Sequence, residues 1–229
     1  MDANIQAAAA RLSRRLKKGN YTLTLAESCT GGLLASTLTD ISGSSAWFQR
    51  SFITYANQAK IEELGVDPED LATKGAVSAQ VAIQMAKGAL KRANADYAIS
   101  VTGIAGPTNE GSSKPVGTVY VGIASRTWAN AKRTQIGGTR AENKAGFVHF
   151  ALLTAMNCWD EAMVRMKEQI AKEISDIEEA LRLQAEREEE QARRNEAARE
   201  QAPWQDEAWE AEAKGPKFEL EVEWTDSEE

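Results

Sequence analysis

The chain has 229 residues, with 27 Lys and Arg against 34 Asp and Glu, one histidine and two cysteines. Cys29 and Cys158 are too few and too far apart for a disulfide framework or a zinc cluster, and the single His149, set in the apolar stretch Phe147-Val148-His149-Phe150, argues against Ser-His and Cys-His chemistry. No run reaches the about 20 apolar residues of a membrane span, no basic-then-apolar leader opens the chain, and no Lys/Arg stripe interleaves with aromatics, so the cytoplasm is the expected location and neither a membrane nor nucleic acid is expected as a partner.

Residues 4–18 carry Ile5, Ala8, Ala9, Leu12 and Leu16 at helical spacing and end at Gly19, which predicts an amphipathic opening helix. Residues 21–26 alternate as a strand that stops at Glu27, and Gly31-Gly32 opens a helix to Thr39. At least one strand is expected within 45–55, a helix over 57–65, a helical turn from Pro68, and a long helix capped by Ser78 and running to about residue 94. A strand follows at 96–101, then a loop with Gly103, Gly106, Pro107 and Gly111, then two strands at 116–124 and 131–136 close enough to pair, and a closing helix from Arg140 to about Trp159. Alternating helices and strands predict an α/β sandwich with a mixed sheet.

Charge divides the chain. Residues 161–229 hold 10 basic and 22 acidic side chains, a net of −12, whereas residues 1–160 hold 17 and 12, a net of +5. The front part suits an anionic small ligand, and the tail reads as an acidic extension. Residues 161–201 are expected to be a charged helical segment in which Met163, Met166, Ile170, Ile174, Ile177 and Leu181 recur every three or four residues, the spacing of a short coiled-coil seam. Residues 202–229, with Trp204, Trp209 and Trp224 among acidic neighbours, are expected to be disordered, either as a solubilising tail or as a docking segment for a basic protein partner.

Three stretches can carry chemistry. Ala26-Glu27-Ser28-Cys29-Thr30-Gly31-Gly32 lies between a strand end and a helix start, where Ser28 could act as nucleophile and the amides about Thr30, Gly31 and Gly32 could face an anion. Taken alone, it reads first as an N-cap serine over a glycine turn. Tyr55-Ala56-Asn57-Gln58-Ala59-Lys60 places a phenol at a strand end and an ammonium about a helical turn further on. A desolvated lysine can replace histidine as the base for a serine, although a solvated Lys60 beside an edge tyrosine is the plainer reading. Thr102-Gly103-Ile104-Ala105-Gly106-Pro107 follows a strand, with Gly103 and Gly106 permitting close approach to a phosphate and Thr102 able to bond the nucleophile or the oxyanion; a structural loop is the alternative.

The three occur together, in order, with Gly-Ser-Ser-Ala-Trp-Phe at 43–48, Gly-Ala-Val-Ser at 75–78 and Lys-Pro-Val-Gly-Thr-Val at 114–119. In this the chain, from about Leu12 to Trp159, resembles the CinA C-terminal family, the PncC-type nicotinamide-nucleotide amidohydrolases. The resemblance implies a three-layer α/β/α domain over residues 1–160, a homodimer, and hydrolysis of the carboxamide of nicotinamide mononucleotide to nicotinic acid mononucleotide and ammonia, with no metal and no cofactor. Carried over by position, it implies Ser28 as nucleophile, Lys60 as base, Tyr55 and Thr102 assisting, and Thr30, Gly31, Gly32, Asn57, Gly103, Gly106 and Arg140 at the substrate. Three departures bear on the ligand: Tyr55-Ala56-Asn57 where relatives commonly read Tyr-Ser-Asn, Asn109-Glu110-Gly111 in place of a Gly-Gly-Ser stretch, and Lys144 where a second arginine is common. The alternatives are a nucleotide-binding protein with impaired hydrolysis and an adaptor acting through its acidic tail.

Overall fold

A computed structural model describes residues 2–109 and 111–201. In chain order the elements are α1 (Ala3–Gly19), β1 (Leu23–Glu27), α2 (Leu33–Thr39), a 3-10 turn at Ser44–Ala46, β2 (Phe48–Ile53), α3 (Asn57–Leu64), α4 (Pro68–Thr73), α5 (Ala79–Ala93), β3 (Tyr97–Gly103), β4 (Thr118–Ser125), β5 (Ala129–Gln135) and α6 (Arg140–Gln201). Local chemistry sets many of these boundaries. Asp2, Asp67 and Ser78 each accept a backbone N–H at the start of α1, α4 and α5, and Asn20 and Asn94 close α1 and α5 in the left-handed conformation.

The sheet runs β2-β1-β3-β4-β5, with β1 parallel to both β2 and β3 and the β3-β4 and β4-β5 pairs antiparallel. The mixed α/β sheet expected from the alternation is therefore present, and its two outer strands carry charge (Arg50 on β2, Lys132 and Arg133 on β5) that discourages further pairing. Strand residues alternate between two cores. Leu23, Leu25, Ile99, Val101, Val119, Val121 and Ile123 meet α1, α2 and α6 through Leu12, Leu16, Leu34, Phe147 and Leu152. Ala26, Ala98 and Ala124 meet α3, α4 and α5 through Leu64, Leu71, Val81, Met85 and Ala89.

The two faces differ in side-chain size, and the small one sets how close α5 lies. Ser100 Oγ donates to the Ala82 carbonyl at 2.6 Å. A Cβ at Gly122 would collide with that same carbonyl and with the Ser100 hydroxyl. Gly122→Ala is therefore expected to push α5 off the sheet and destabilise the fold by about 1–3 kcal/mol, the usual range for overpacking, read from the urea midpoint. A midpoint equal to that of the parent would show that α5 is not held at this distance.

Three local expectations shift. β1 begins at Leu23, two residues late, because Tyr21 instead packs edge-on against Tyr97 and Trp159. The 45–55 stretch divides into the 3-10 turn and β2. The closing helix does not stop near Trp159 but continues as α6 to Gln201, since 160–201 contains neither Gly nor Pro and is dominated by strong helix formers.

The chain divides into two compact units, Met1–Arg165 and Met166–Glu229. In the second, residues 166–201 are helical and exposed throughout, and the Trp204, Trp209 and Trp224 segment lies outside the described residues. Among the described residues no helix is long and apolar enough to cross a membrane.

Candidate active site

β1 is the strand at which the sheet changes direction: the chain leaves it through α2 to reach β2 on one side and returns through α3, α4 and α5 to β3 on the other. Such a switch leaves a crevice at the carboxyl ends of the parallel strands. Ser28 follows directly on β1, 8% exposed, its N–H donating to the Val101 carbonyl at 3.0 Å. That amide is engaged and is not a donor for an oxyanion.

Glu27, fully buried, turns its carboxylate onto the start of α2, where Oε2 accepts from the amides of Gly32 (2.9 Å) and Leu34 (3.2 Å) and Oε1 from that of Ala35 (2.8 Å). An anion thus already occupies the positive end of this helix. Gly32, at φ 93°, adopts the left-handed conformation that lets the chain turn from Ser28 into α2. Thr30, Gly31 and Gly32 do not line the cavity described below; the Gly32 amide donates to Glu27 Oε2 and the Gly31 amide to the Ser28 carbonyl. Glu27→Gln turns an amide N–H toward donors, and a loss on the order of 1–3 kcal/mol is expected, seen as a lower melting temperature with reduced turnover. Unchanged melting would mean that the carboxylate does not hold this turn.

The crevice holds a cavity of about 410 Å³ to which Ser28, Tyr55, Asn57, Lys60, Thr102, Gly103, Gly106 and Arg140 all contribute. This volume lies within the range of small-molecule sites, about 300–1,000 Å³. Lys60 is 1% exposed, and its Nζ donates to the carbonyls of Thr54 (2.9 Å) and Tyr55 (3.0 Å). Burial pulls its pKa down to about 8. A neutral amine has two N–H groups and one lone pair; two carbonyls take the former and leave the latter for a third partner.

Cys29, next to Ser28, also faces the cavity, but burial pushes its thiol up to about 12 against the opposing pull of Lys60 and Arg140, so the sulfur stays protonated. Arg140, the first residue of α6, donates to the Tyr55 hydroxyl at 2.6 Å and to the Gly106 carbonyl, joining the end of β2 to the loop after β3. Thr102 donates its hydroxyl to the Ala76 carbonyl at 2.8 Å, so while that bond holds it can accept from a neighbour but cannot donate to an oxyanion.

Several contributors had no role assigned from the motifs. Lys114 lines the cavity and adds a second cation to Arg140. Asn143, fully buried, donates through Nδ2 to the carbonyls of Ala105 and Gly138, both at 3.1 Å, tying the loop after β3 to the start of α6. Its sequence signal is a polar side chain one turn before Phe147 on an otherwise apolar face. Lys144, the departure from a second arginine, lies outside the cavity lining, close to Gly31. Within the altered 109–111 loop, Asn109 Nδ2 donates to the Ser112 carbonyl, and Glu110 lies outside the described residues. His149 is half-buried on α6 and does not reach the cavity. Among the described residues, no three His, Cys, Asp or Glu side chains gather as a metal-ligand set.

A sequence model of the CinA C-terminal domain matches residues 5–159. A CinA-like protein of Chlorobium limicola is 48% identical over 157 residues, which are 66% of this chain and only 37% of that longer protein. The nicotinamide-nucleotide amidohydrolase PncC of Escherichia coli is 51% identical over 124 residues, 54% of this chain and 75% of that one. Among solved structures, the competence/damage inducible protein CihA from Agrobacterium tumefaciens aligns with a TM-score of 0.66 at 42% identity, covering 69% of this chain and 96% of its own.

Proposed function

The chain belongs to the CinA C-terminal domain family, and from that premise we propose that it hydrolyses the carboxamide of nicotinamide mononucleotide, releasing nicotinic acid mononucleotide and ammonia. The observation that carries this reading is a serine and a buried, pKa-lowered lysine lining one cavity together with the cations Arg140 and Lys114.

An amide is a weak electrophile with a poor leaving group, so dividing the reaction into acylation and deacylation lowers the barrier of each half. Ser28 Oγ attacks the carboxamide carbon while its proton passes to Lys60 Nζ. The tetrahedral adduct collapses as Lys60 returns that proton to the departing nitrogen, which leaves as ammonia and breaks the C–N bond. Water then attacks the Ser28 ester, Lys60 taking its proton and handing it to Ser28 Oγ as the acid leaves. The buried amine suits both directions because a pKa of about 8 lies near the operating pH, where neither protonation state is scarce. Arg140 and Lys114 supply positive charge for the phosphate, while the hydrogen bond from Arg140 holds the Tyr55 ring against the cavity.

The test is production of ammonia and nicotinic acid mononucleotide by the purified chain. Turnover supports the hydrolase. Binding of the nucleotide to a cooperatively melting protein, without ammonia release, would move the reading to a binding protein built on the same scaffold.

A further inference from the structure

Beyond the catalytic unit, α6 contains two stretches of different design. From Arg182 onward it is laced by i,i+4 pairs: Arg182 with Glu186, Gln184 with Glu188, Glu189 with Arg193, and Glu190 with Arg194. Such pairs suit a helix that stands alone in water. Among the described residues from 163 to 181, the one such pair is Gln169 with Glu173. That stretch instead exposes Ile170 (47%), Ile174 (51%), Ile177 (59%) and Leu181 (61%), which alternate at spacings of four and three along one stripe. Aliphatic side chains at heptad spacing with half their surface in water are complementary to another helix.

Charge identifies the partner and its direction. Residues 163–172 hold Arg165, Lys167 and Lys172 against Glu168, and residues 173–182 hold Glu173, Asp176, Glu178 and Glu179 against Arg182. The first half is therefore +2 and the second −3. A second copy laid parallel would set each half against its like; laid antiparallel, it sets basic against acidic at both ends.

We propose that residues 163–182 of α6 pair antiparallel with the same segment of a second copy of this chain, as a two-helix coiled coil about a two-fold axis near Lys172. In this register Ile170 packs against Ile174 of the partner subunit, and the converse layer repeats it by symmetry. Lys167 falls opposite Ile177 of the partner subunit, with its ammonium between the partner's Asp176 and the partner's Glu178. A single lysine in the seam penalises other registers. Leu181 falls opposite Met163 of the partner subunit, a residue that packs against the first unit's own core, at either end of a seam about 30 Å long.

The test uses two full-length variants with different tags, Ile170→Cys and Ile174→Cys, oxidised mildly alone and as a mixture. The native Cys29 and Cys158, 6% and 2% exposed, are shielded from this reaction. The mixed disulfide is expected to exceed either self-linked product at least fivefold. Efficient self-linking of Ile174→Cys would show parallel pairing and overturn the proposal. In parallel, sedimentation of full-length Ile170→Asp/Ile174→Asp is expected to lose one step of self-association relative to the parent. An unchanged mass, together with no cross-link in any mixture, would show that a second copy does not cover this seam.

Discussion

Ser28→Ala is expected to lower turnover of nicotinamide mononucleotide by about 10⁴-fold or more, since loss of a serine nucleophile removes the covalent route and leaves only binding and electrostatics. The substitution removes one oxygen from a side chain that is 8% exposed and whose Oγ makes no hydrogen bond among the described residues, so the melting temperature should stay close to that of the parent. Nucleotide affinity should fall little, because Arg140, Lys114 and the loop after β3 are untouched. The neighbouring thiol supplies the control. Cys29→Ala should retain turnover, because burial keeps that sulfur protonated with a pKa of about 12. The opposite pattern, with Ser28→Ala active and Cys29→Ala dead, would transfer the nucleophile to Cys29.

Lys60→Met should lower turnover by about 10²–10⁴-fold, the usual range for a positioned general base. In the parent, activity should rise with pH along a limb centred near 8, where Lys60 loses its proton. A pH-independent rate from 7 to 9.5 would contradict the assignment of Lys60 as base.

The same residue predicts a stability signature. Unfolded, the amine holds its proton up to its ordinary value of 10.5; folded, it releases it at about 8. Between these values the unfolded chain binds more protons, so the parent gains stability as pH rises through that window and carries the full penalty of the buried charge below 8. That penalty is on the order of 2–3 kcal/mol. Methionine carries none of it, although it leaves the Thr54 and Tyr55 carbonyls without their donor at every pH. The stability of Lys60→Met relative to the parent should therefore be greatest near pH 7 and decline steadily toward pH 10. A constant difference across that range would show that Lys60 is not buried as an amine.

The sequence by itself determined the order and kind of most elements. Period 3.6 in 4–18, the Ser78 cap, and the glycine and proline punctuation of 103–117 are signals confined to a few neighbouring residues, and helix or strand formation is settled at that range. The motifs likewise singled out Ser28, Tyr55, Lys60 and Thr102, and the family resemblance added Arg140, five residues that the fold gathers around one cavity. Only the tertiary structure decided what each side chain faces. Glu27 accepts from the amides at the start of α2, Thr102 commits its proton to Ala76, and Arg140 reaches Tyr55 across 85 positions of sequence. The lowered pKa of Lys60 belongs to this second class, because it comes from burial and not from its neighbours in the chain. Periodicity reports which face of an element is apolar, whereas the partner of a polar group and the water around it depend on segments brought together from across the chain by packing.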